Sequence, residues 1–223
     1  INLLEKEGVR LGPDVKAYTS FDQTVYMLQI PTDTLAIVEK AFDILENWAH
    51  LVSFEDEAID KERGVIVEEW RLGRGAEARM RDKQFPILFK DSRYADRLPI
   101  GQMDIVEHCS HETLRQFYRD WYRPDLMAII AVGDFDTTMV VGLIRKHFST
   151  IPPRTEERKR PFFPVPDHQE TLFAITTDPE ASLSSVSLYF KHPIEPEGSV
   201  GNYRKSLLEN LYNDMFNDRL NEL

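Results

Sequence analysis

The sequence has only one cysteine, Cys109, in 223 residues, and it has no long hydrophobic run. A single cysteine excludes an internal disulfide bond and leaves the redox compartment open. No stretch reaches the ~20 apolar residues that a membrane-spanning helix needs, and no signal peptide is recognisable. Basic residues are also scarce, with 27 Lys and Arg against 38 Asp and Glu and a formal net charge of -11. This balance argues against a nucleic-acid partner, because phosphate backbones attract basic surfaces.

Common catalytic motifs are missing as well. The sequence contains no phosphate-binding loop, dinucleotide fingerprint or nucleophile elbow. His108 and His111 in "EHCSH" are close in sequence, but Ser110 suits the N-cap of a helix that starts at His111. We therefore interpret both histidines as surface or capping residues. His50 and His147 have no ligand-like spacing, and we expect them to be ordinary side chains.

The chain contains enough apolar material for a core, since 42% of its residues are hydrophobic and 13 are Phe. Residues rich in Val, Tyr, Thr and Ile predict two strands within 15–30, separated near Ser20–Asp22. Alternating or continuous apolar runs predict further strands over 126–132, 171–178 and 184–192. Helices alternate with strands that need not be parallel. The pattern therefore predicts an α+β fold, with antiparallel-rich sheets packed against helices.

Helical periodicity and capping residues predict the helices. The first predicted helix covers 35–51 and is capped by Thr34. The second is a long segment that begins at a capping box at Ser53 and runs beyond Met80. The other three cover 111–122, 137–148 and 201–223. Gly73 and Gly75 are expected to weaken or bend the second of these helices. Residues 1–12 read as the last turns of a helix closed by a glycine, 85–101 as irregular, and the proline-rich stretch 151–170 as a linker or exposed loop.

The segment "KERGVIVEEW", Lys61–Trp70, places two carboxylates where apolar residues are expected. At 100° per residue, the apolar side chains of this helix fall within an arc of roughly 160°. They are Ala58, Ile59, Val65, Ile66, Trp70, Leu72 and Ala76. Glu62 and Glu69 lie near the middle of that arc, about 10 Å apart along the helix axis. Glu68 lies about 100° around the helix from Glu69, on the side expected to face solvent.

Burying an unpaired carboxylate is costly, so a metal ion or a cation is the natural compensation for Glu62 and Glu69. Two plainer alternatives remain from the residues alone. The helix phase can differ from this projection, or each Glu can pair with a nearby Arg or Lys.

Three blocks in this order resemble the pitrilysin-type (M16) zinc peptidases. They are "GVRLGPDVKAYTSFDQTVYMLQIP", "KERGVIVEEW" and "YRPDLMAIIAVGDFD". The resemblance runs along the whole chain, and together the blocks are specific for the family. It implies an M16 metallopeptidase-like fold, truncated, with residues 1–122 forming the C-terminal part of the zinc-binding domain. Residues 123–223 would then begin the following related domain.

The resemblance also implies roles for individual residues. Zinc in this family is bound by both histidines of a His-x-x-Glu-His motif and by a glutamate farther along the chain. The downstream segment resembles Glu-Arg-x-x-x-x-x-Glu, which Glu62, Arg63 and Glu69 match. Glu69 therefore corresponds to the third zinc ligand. Glu62 corresponds to a carboxylate that orients the histidine ligands.

Two departures from the family pattern affect this interpretation. The His-x-x-Glu-His helix is absent, and we expect it upstream of Ile1, because the chain opens without Met and stops inside a helical pattern. The strand at 15–19 has Lys16 where the family usually has Asn. In the family this strand exposes an edge to which a peptide substrate adds as a further strand. Lys16, Ala17, Tyr18 and Thr19 are the substrate-binding residues implied here.

The implied activity of the intact parent is zinc-assisted hydrolysis of peptides or unfolded segments. With one of three zinc ligands, this chain alone is expected to be inactive and to carry no zinc. Its expected partners are a peptide substrate and the second half of the same protein or a homologous subunit. The alternatives are a noncatalytic M16 subunit or peptide-binding scaffold, and an unrelated acidic α+β domain.

Overall fold

The structure is a computed structural model, and it describes residues 14–153, 158–193 and 198–222. The chain divides into two compact units, Ile1–Ser182 and Leu183–Leu223. The helix end predicted at residues 1–12 lies outside the described residues. The first unit contains both candidate sites that the sequence predicts.

A two-stranded antiparallel sheet opens the described part of the first unit. Strand β1 covers Val15–Thr19 and strand β2 covers Thr24–Leu28, and Ala17 lies opposite Tyr26. The chain reverses between them, where the Ser20 backbone N–H donates to the Gln23 carbonyl oxygen over 2.8 Å. The predicted pair of strands, separated near Ser20–Asp22, is confirmed.

Two helices form the core of this unit. Helix α1 covers Leu35–His50 and helix α6 covers Thr137–Phe148, as their periodicity predicts, and the two pack against each other. Their buried contacts are Val38, Phe42, Val140 and Leu143. Asp136 caps α6 by accepting hydrogen bonds from the backbone N–H groups of Thr138 and Met139. Apolar residues three and four positions apart thus place one face of each helix in the core.

The long helix predicted from Ser53 to beyond Met80 is two helices. Helix α2 covers Asp56–Leu72 and helix α3 covers Ala76–Leu88, with Gly73 and Gly75 at the junction. Glu55, not Ser53, is the N-cap of α2, and no side chain caps it. The junction forms where glycine lowers helix propensity most, so the two glycines end the helix instead of only weakening it.

The segment 85–101, predicted to be irregular, is partly helical. Helix α3 continues through Pro86 to Leu88, and a 3-10 helix covers Arg93–Asp96. Two further helices follow, α4 at Met103–His108 and α5 at His111–Trp121. Pro86 has no backbone N–H to donate, and neighbouring packing can hold a helix that lacks one backbone hydrogen bond.

The strands predicted over 126–132, 171–178 and 184–192 do not form among the described residues. These segments have no strand pairing, and their apolar side chains are largely exposed, as for Ile130 at 83% and Val132 at 90%. Alternation shows which side of a strand can be buried, but a strand also needs a neighbour to bond with. The fold class is nevertheless α+β, mostly helical with a small antiparallel sheet.

The second unit consists of residues 183–193 and helix α7, which covers Val200–Asn221. Ser199 caps this helix, since its hydroxyl accepts a hydrogen bond from the Asn202 N–H over 3.0 Å. Tyr212 and Phe216, one turn apart, stack with ring centroids 6.0 Å apart. Among the described residues, no helix has the length and apolarity to cross a bilayer.

Candidate metal-ligand helix and peptide-binding edge

The two glutamates singled out by the sequence lie on the exposed flank of α2. Glu62 and Glu69 are both exposed, and neither carboxylate has a hydrogen-bond or ion-pair partner among residues 14–153, 158–193 and 198–222. The prediction that they lie on the dry side of the helix is therefore wrong for this structure. Each carboxylate is free to accept a ligand.

The inner side of α2 lies elsewhere on the helix. It follows Ile59, Arg63, Ile66 and Trp70, of which Ile59 is buried and the others are half-buried. The centre of this side is roughly 70° from the centre of the predicted apolar arc, at 100° per residue. Ile59, Ile66 and Trp70 belong to both. The first alternative, a different helix phase, is thus correct. Arg63, which is outside the predicted arc, lies on the inner side with a side chain that is only 15% exposed.

Arg63 faces inward because its guanidinium binds the carboxyl end of helix α4. Its Nη2 donates to the Cys109 carbonyl oxygen over 2.6 Å, and its Nη1 donates to the Val106 carbonyl oxygen. The last carbonyl groups of a helix have no partner within it, so a cation there completes their hydrogen bonding. The arginine of the Glu-Arg-x-x-x-x-x-Glu pattern thus fixes α2 against α4.

The exposed flank of α2 carries apolar residues alongside the two glutamates. We call this set the outer stripe: Ala58, Glu62, Val65, Glu69 and Leu72, all exposed. Val65 and Leu72 are 52% and 79% exposed. Spacings of four and three residues place the five side chains in one row along the helix. The row offers two carboxylates set in apolar surface.

Glu68 differs from its neighbour Glu69. Its carboxylate pairs with Arg71 on the same helix, with Nη2 to Oε2 at 2.7 Å and both side chains more than half exposed. The prediction that Glu68 lies on the wet side is confirmed.

The histidines of "EHCSH" occupy the ends of two helices. His108 ends α4 and is 71% exposed, and Ser110 caps α5, which begins at His111. The His111 Nε2 lies 2.6 Å from Asp60 Oδ1 on α2, which lowers the pKa of Asp60 below its ordinary value, with a further contribution from Arg63. His108 is the last residue of α4 and His111 is the first residue of α5, in agreement with their interpretation as surface or capping residues.

Strand β1 is exposed along its length from Lys16 to Thr19. Among the described residues, β2 is its only partner strand, so the other edge of β1 has unpaired backbone donors and acceptors. The side chain of Tyr18 is 47% exposed. The backbone of β1 is therefore suited to pairing with an added strand.

One group of side chains was missed by the sequence reasoning. Asp43 and Glu46 on α1 and His147 on α6 place one potential ligand atom each within 4.8 Å of one another. The sequence signal was present in part, because Asp43 and Glu46 stand three residues apart on one helix face. His147 enters from a helix about 100 residues away, which no local pattern predicts.

Comparison with known families identifies the class of protein that has this architecture. The model of the insulinase family, peptidase family M16, matches residues 1–82. The model of the peptidase M16 inactive domain matches residues 108–221. The chain belongs to peptidase family M16.

Individual relatives agree with this assignment. The chain is 37% identical over 221 residues to the zinc protease PQQL-like of Arabidopsis thaliana, covering 99% of this chain and 23% of that protein. It is 34% identical over 222 residues to the probable zinc protease PqqL of Escherichia coli strain K12, covering 100% of this chain and 24% of that protein. The chain thus spans about a quarter of the length of these relatives.

A solved structure also resembles the chain. The first half of the periplasmic protease PqqL from Escherichia coli superimposes with a TM-score of 0.71 at 38% identity. The match covers 75% of this chain and 36% of that structure.

Proposed function

We propose that this chain supplies one zinc ligand and a substrate-binding edge to a zinc-dependent endopeptidase. The observation that carries the proposal is the pair of partner-free carboxylates, Glu62 and Glu69, one heptad apart on the outer stripe of α2. This pair lies in the region that the M16 peptidase model matches, and the relatives named above are called zinc proteases. Glu69 is the ligand in this proposal, and Glu62 orients the histidine ligands.

Zinc fits Glu69 in its donor chemistry, because an exposed carboxylate without a partner can accept a metal bond at no loss of existing hydrogen bonds. When bound, zinc polarises a scissile carbonyl and lowers the pKa of a bound water. One carboxylate is not a complete site, so the histidines must come from a helix outside this sequence. The outer stripe supplies apolar surface for such a helix at Ala58, Val65 and Leu72.

The substrate is proposed to bind along β1. An extended peptide can pair with the exposed edge from Lys16 to Thr19, where backbone hydrogen bonds supply affinity and alternate side chains supply preference. Tyr18 and Lys16 stand two residues apart and therefore project to the same side of the strand. Peptides and unfolded segments are favoured over folded proteins, because only an extended chain can add to a strand edge.

We also propose a division of the chain between two related domains, 1–122 and 123–223. The two family matches, to residues 1–82 and 108–221, support two successive M16 segments. In this proposal the remaining catalytic groups belong to the second half of the same protein or to a homologous subunit.

The test places this chain in a protein that also carries the His-x-x-Glu-His helix. Glu69→Gln is expected to remove bound zinc and peptidase activity together, because the amide is a much weaker metal ligand than the carboxylate. Glu68→Gln is the matched control, since it changes the adjacent glutamate, which faces Arg71 and not the outer stripe. Metal analysis of both variants measures the outcome. Unchanged zinc content in Glu69→Gln would refute the assignment.

A noncatalytic subunit or peptide-binding scaffold is the second candidate. Residues 108–221 match the domain described as inactive, and Lys16 replaces the usual Asn of the family pattern. In this case β1 would still bind a peptide. The sequence upstream of Ile1 distinguishes the two, because only the enzyme requires the His-x-x-Glu-His motif there.

A further inference from the structure

A cluster of metal-ligating side chains lies at the contact between helices α1 and α6. The Nδ1 of His147 is 2.7 Å from Oε2 of Glu46 and 3.7 Å from Oδ1 of Asp43. The side chain of His147 is 6% exposed, that of Glu46 is 23% exposed and that of Asp43 is 47% exposed. The cluster is therefore closed on the α6 side and accessible from solvent beside Asp43.

His50 stands one turn beyond Glu46 on α1, and its Nε2 lies 3.6 Å from Oε1 of Glu46. This nitrogen and Nε2 of His147 are buried and make no hydrogen bond among the described residues. His50 is not one of the side chains whose ligand atoms lie within 4.8 Å of one another, so it borders the cluster and is not counted as a ligand.

We propose that Asp43, Glu46 and His147 bind a divalent transition-metal ion. Imidazole nitrogen combined with carboxylate oxygen suits Zn²⁺ and its first-row neighbours, whereas Mg²⁺ and Ca²⁺ take oxygen ligands. Two carboxylates and one neutral imidazole carry two negative charges, which match the charge of the ion, and solvent can supply the remaining ligand.

The separations are compatible with three ligands of a tetrahedral site. Zinc bonds of about 2.1 Å place neighbouring ligand atoms about 3.4 Å apart. The observed distance of 3.7 Å from His147 to Asp43 is close to this value, and the 2.7 Å contact from His147 to Glu46 needs to open. Glu46 can do this by a side-chain rotation, because it is partly solvent-exposed.

The proposed ion would join the two helices that form the core. Phe42, a core residue, stacks on the His147 ring with centroids 6.1 Å apart. An ion that binds only the folded state stabilises it in proportion to its concentration. Metal binding at this cluster is thus expected to raise the thermal stability of the first unit.

The test is calorimetric titration of the full chain with Zn²⁺, together with Co²⁺ absorption spectroscopy and thermal unfolding. We expect one bound ion, a Co²⁺ ligand-field spectrum with nitrogen and oxygen donors, and a higher melting temperature with Zn²⁺. Glu46→Gln and Asp43→Asn should weaken binding by at least about 10–100-fold, the cost of losing even an outer-shell partner. Asp43→Asn is the milder variant, because its side chain is nearly half exposed.

Two controls distinguish this site from others. Asp104→Asn removes the carboxylate of another His–Asp pair, at His108, which is exposed and lacks further ligands among the described residues. Glu68→Gln removes an exposed carboxylate that pairs with Arg71 on α2 and leaves the cluster unchanged. Both controls should bind zinc as the wild type does. Absence of zinc binding in the wild type, or equal binding in Asp43→Asn, overturns the inference, while the proposal for Glu69 is tested separately.

Discussion

The guanidinium of Arg63 on α2 lies 2.6 Å from the carbonyl oxygen of Cys109, at the carboxyl end of α4. This hydrogen bond joins residues 46 positions apart in the chain. It also sets the rotation of α2, since the helix side that carries Arg63 must face α4. The outward position of Glu62 and Glu69 follows from it.

Replacing Arg63 with Ala is expected to destabilise the first unit. The variant leaves the carbonyl groups of Val106 and Cys109 without their donor, and an unsatisfied polar group near the interior is unfavourable. Arg71→Ala is the matched control, because Arg71 pairs only with the exposed Glu68 on the same helix. Urea unfolding measures both midpoints. Equal midpoints for the two variants would show that Arg63 has no structural role.

Truncating the core at Leu143 should cost about 2–5 kcal/mol of unfolding free energy, the usual range for a buried Leu changed to Ala. Leu143 is 6% exposed and contacts the core cluster. Val141→Ala on the same helix is the control, because Val141 is 44% exposed, and it should change stability by no more than about 0.5 kcal/mol. Chemical denaturation measures the difference. Similar losses in both variants would contradict the assigned core.

Gly101 and Gly142 should respond in opposite directions to alanine. Gly101 has φ of +85°, and a Cβ there would lie 3.4 Å from the Val106 side chain, so Gly101→Ala should destabilise by about 1–2 kcal/mol. Gly142 lies inside α6, and a Cβ there meets no atom within 4 Å, so Gly142→Ala should stabilise by about 0.5–1 kcal/mol. Melting temperatures of the two variants provide the check, and a shift in the same direction would count against this backbone geometry.

The ion pair between Arg79 and Asp178 should make stability fall in acid. Arg79 donates two hydrogen bonds to the Asp178 carboxylate, at 2.6 and 2.8 Å, and lowers the pKa of Asp178 from 3.8 to about 2. A lowered folded-state pKa contributes stability above the unfolded value, and this contribution is lost as the pH falls toward 2. The stability difference between wild type and Asp178→Asn should therefore be constant above pH 5 and shrink between pH 4 and 2.

The control for this pH dependence is Asp134→Asn. Asp134 is exposed and has no ion-pair partner in the described part of the chain. Removing this carboxylate should not reproduce the change between pH 4 and 2 that the Arg79–Asp178 pair produces. A flat profile for Asp178→Asn would mean that the Arg79 pair does not form in solution.

Local patterns predicted much of the fold correctly. The β1–β2 pair, helix α6 at Thr137–Phe148 and the Ser110 cap all agree with the structure. Each depends on residues within a few positions of one another, such as an N-cap hydroxyl and the backbone three residues later. Interactions of this range are encoded in the local sequence.

Sequence patterns were less informative about elements that need a partner from a distant part of the chain. The alternating segments 171–178 and 184–192 have the composition of strands, but no neighbouring strand pairs with them among the described residues. A strand is stabilised by hydrogen bonds to another strand. The sequence of one segment therefore does not show whether another segment will pair with it.

The sequence by itself determined the family and the spacing of Glu62 and Glu69, because a motif and its heptad period are linear properties. Only the tertiary structure decided which side of α2 faces inward, since that depends on the carbonyl groups that Arg63 reaches 43 and 46 residues away. It also decided that His147 meets Asp43 and Glu46. Such contacts form when separate helices pack against each other. The periodicity of one helix does not show which side chains of the other helix will contact it.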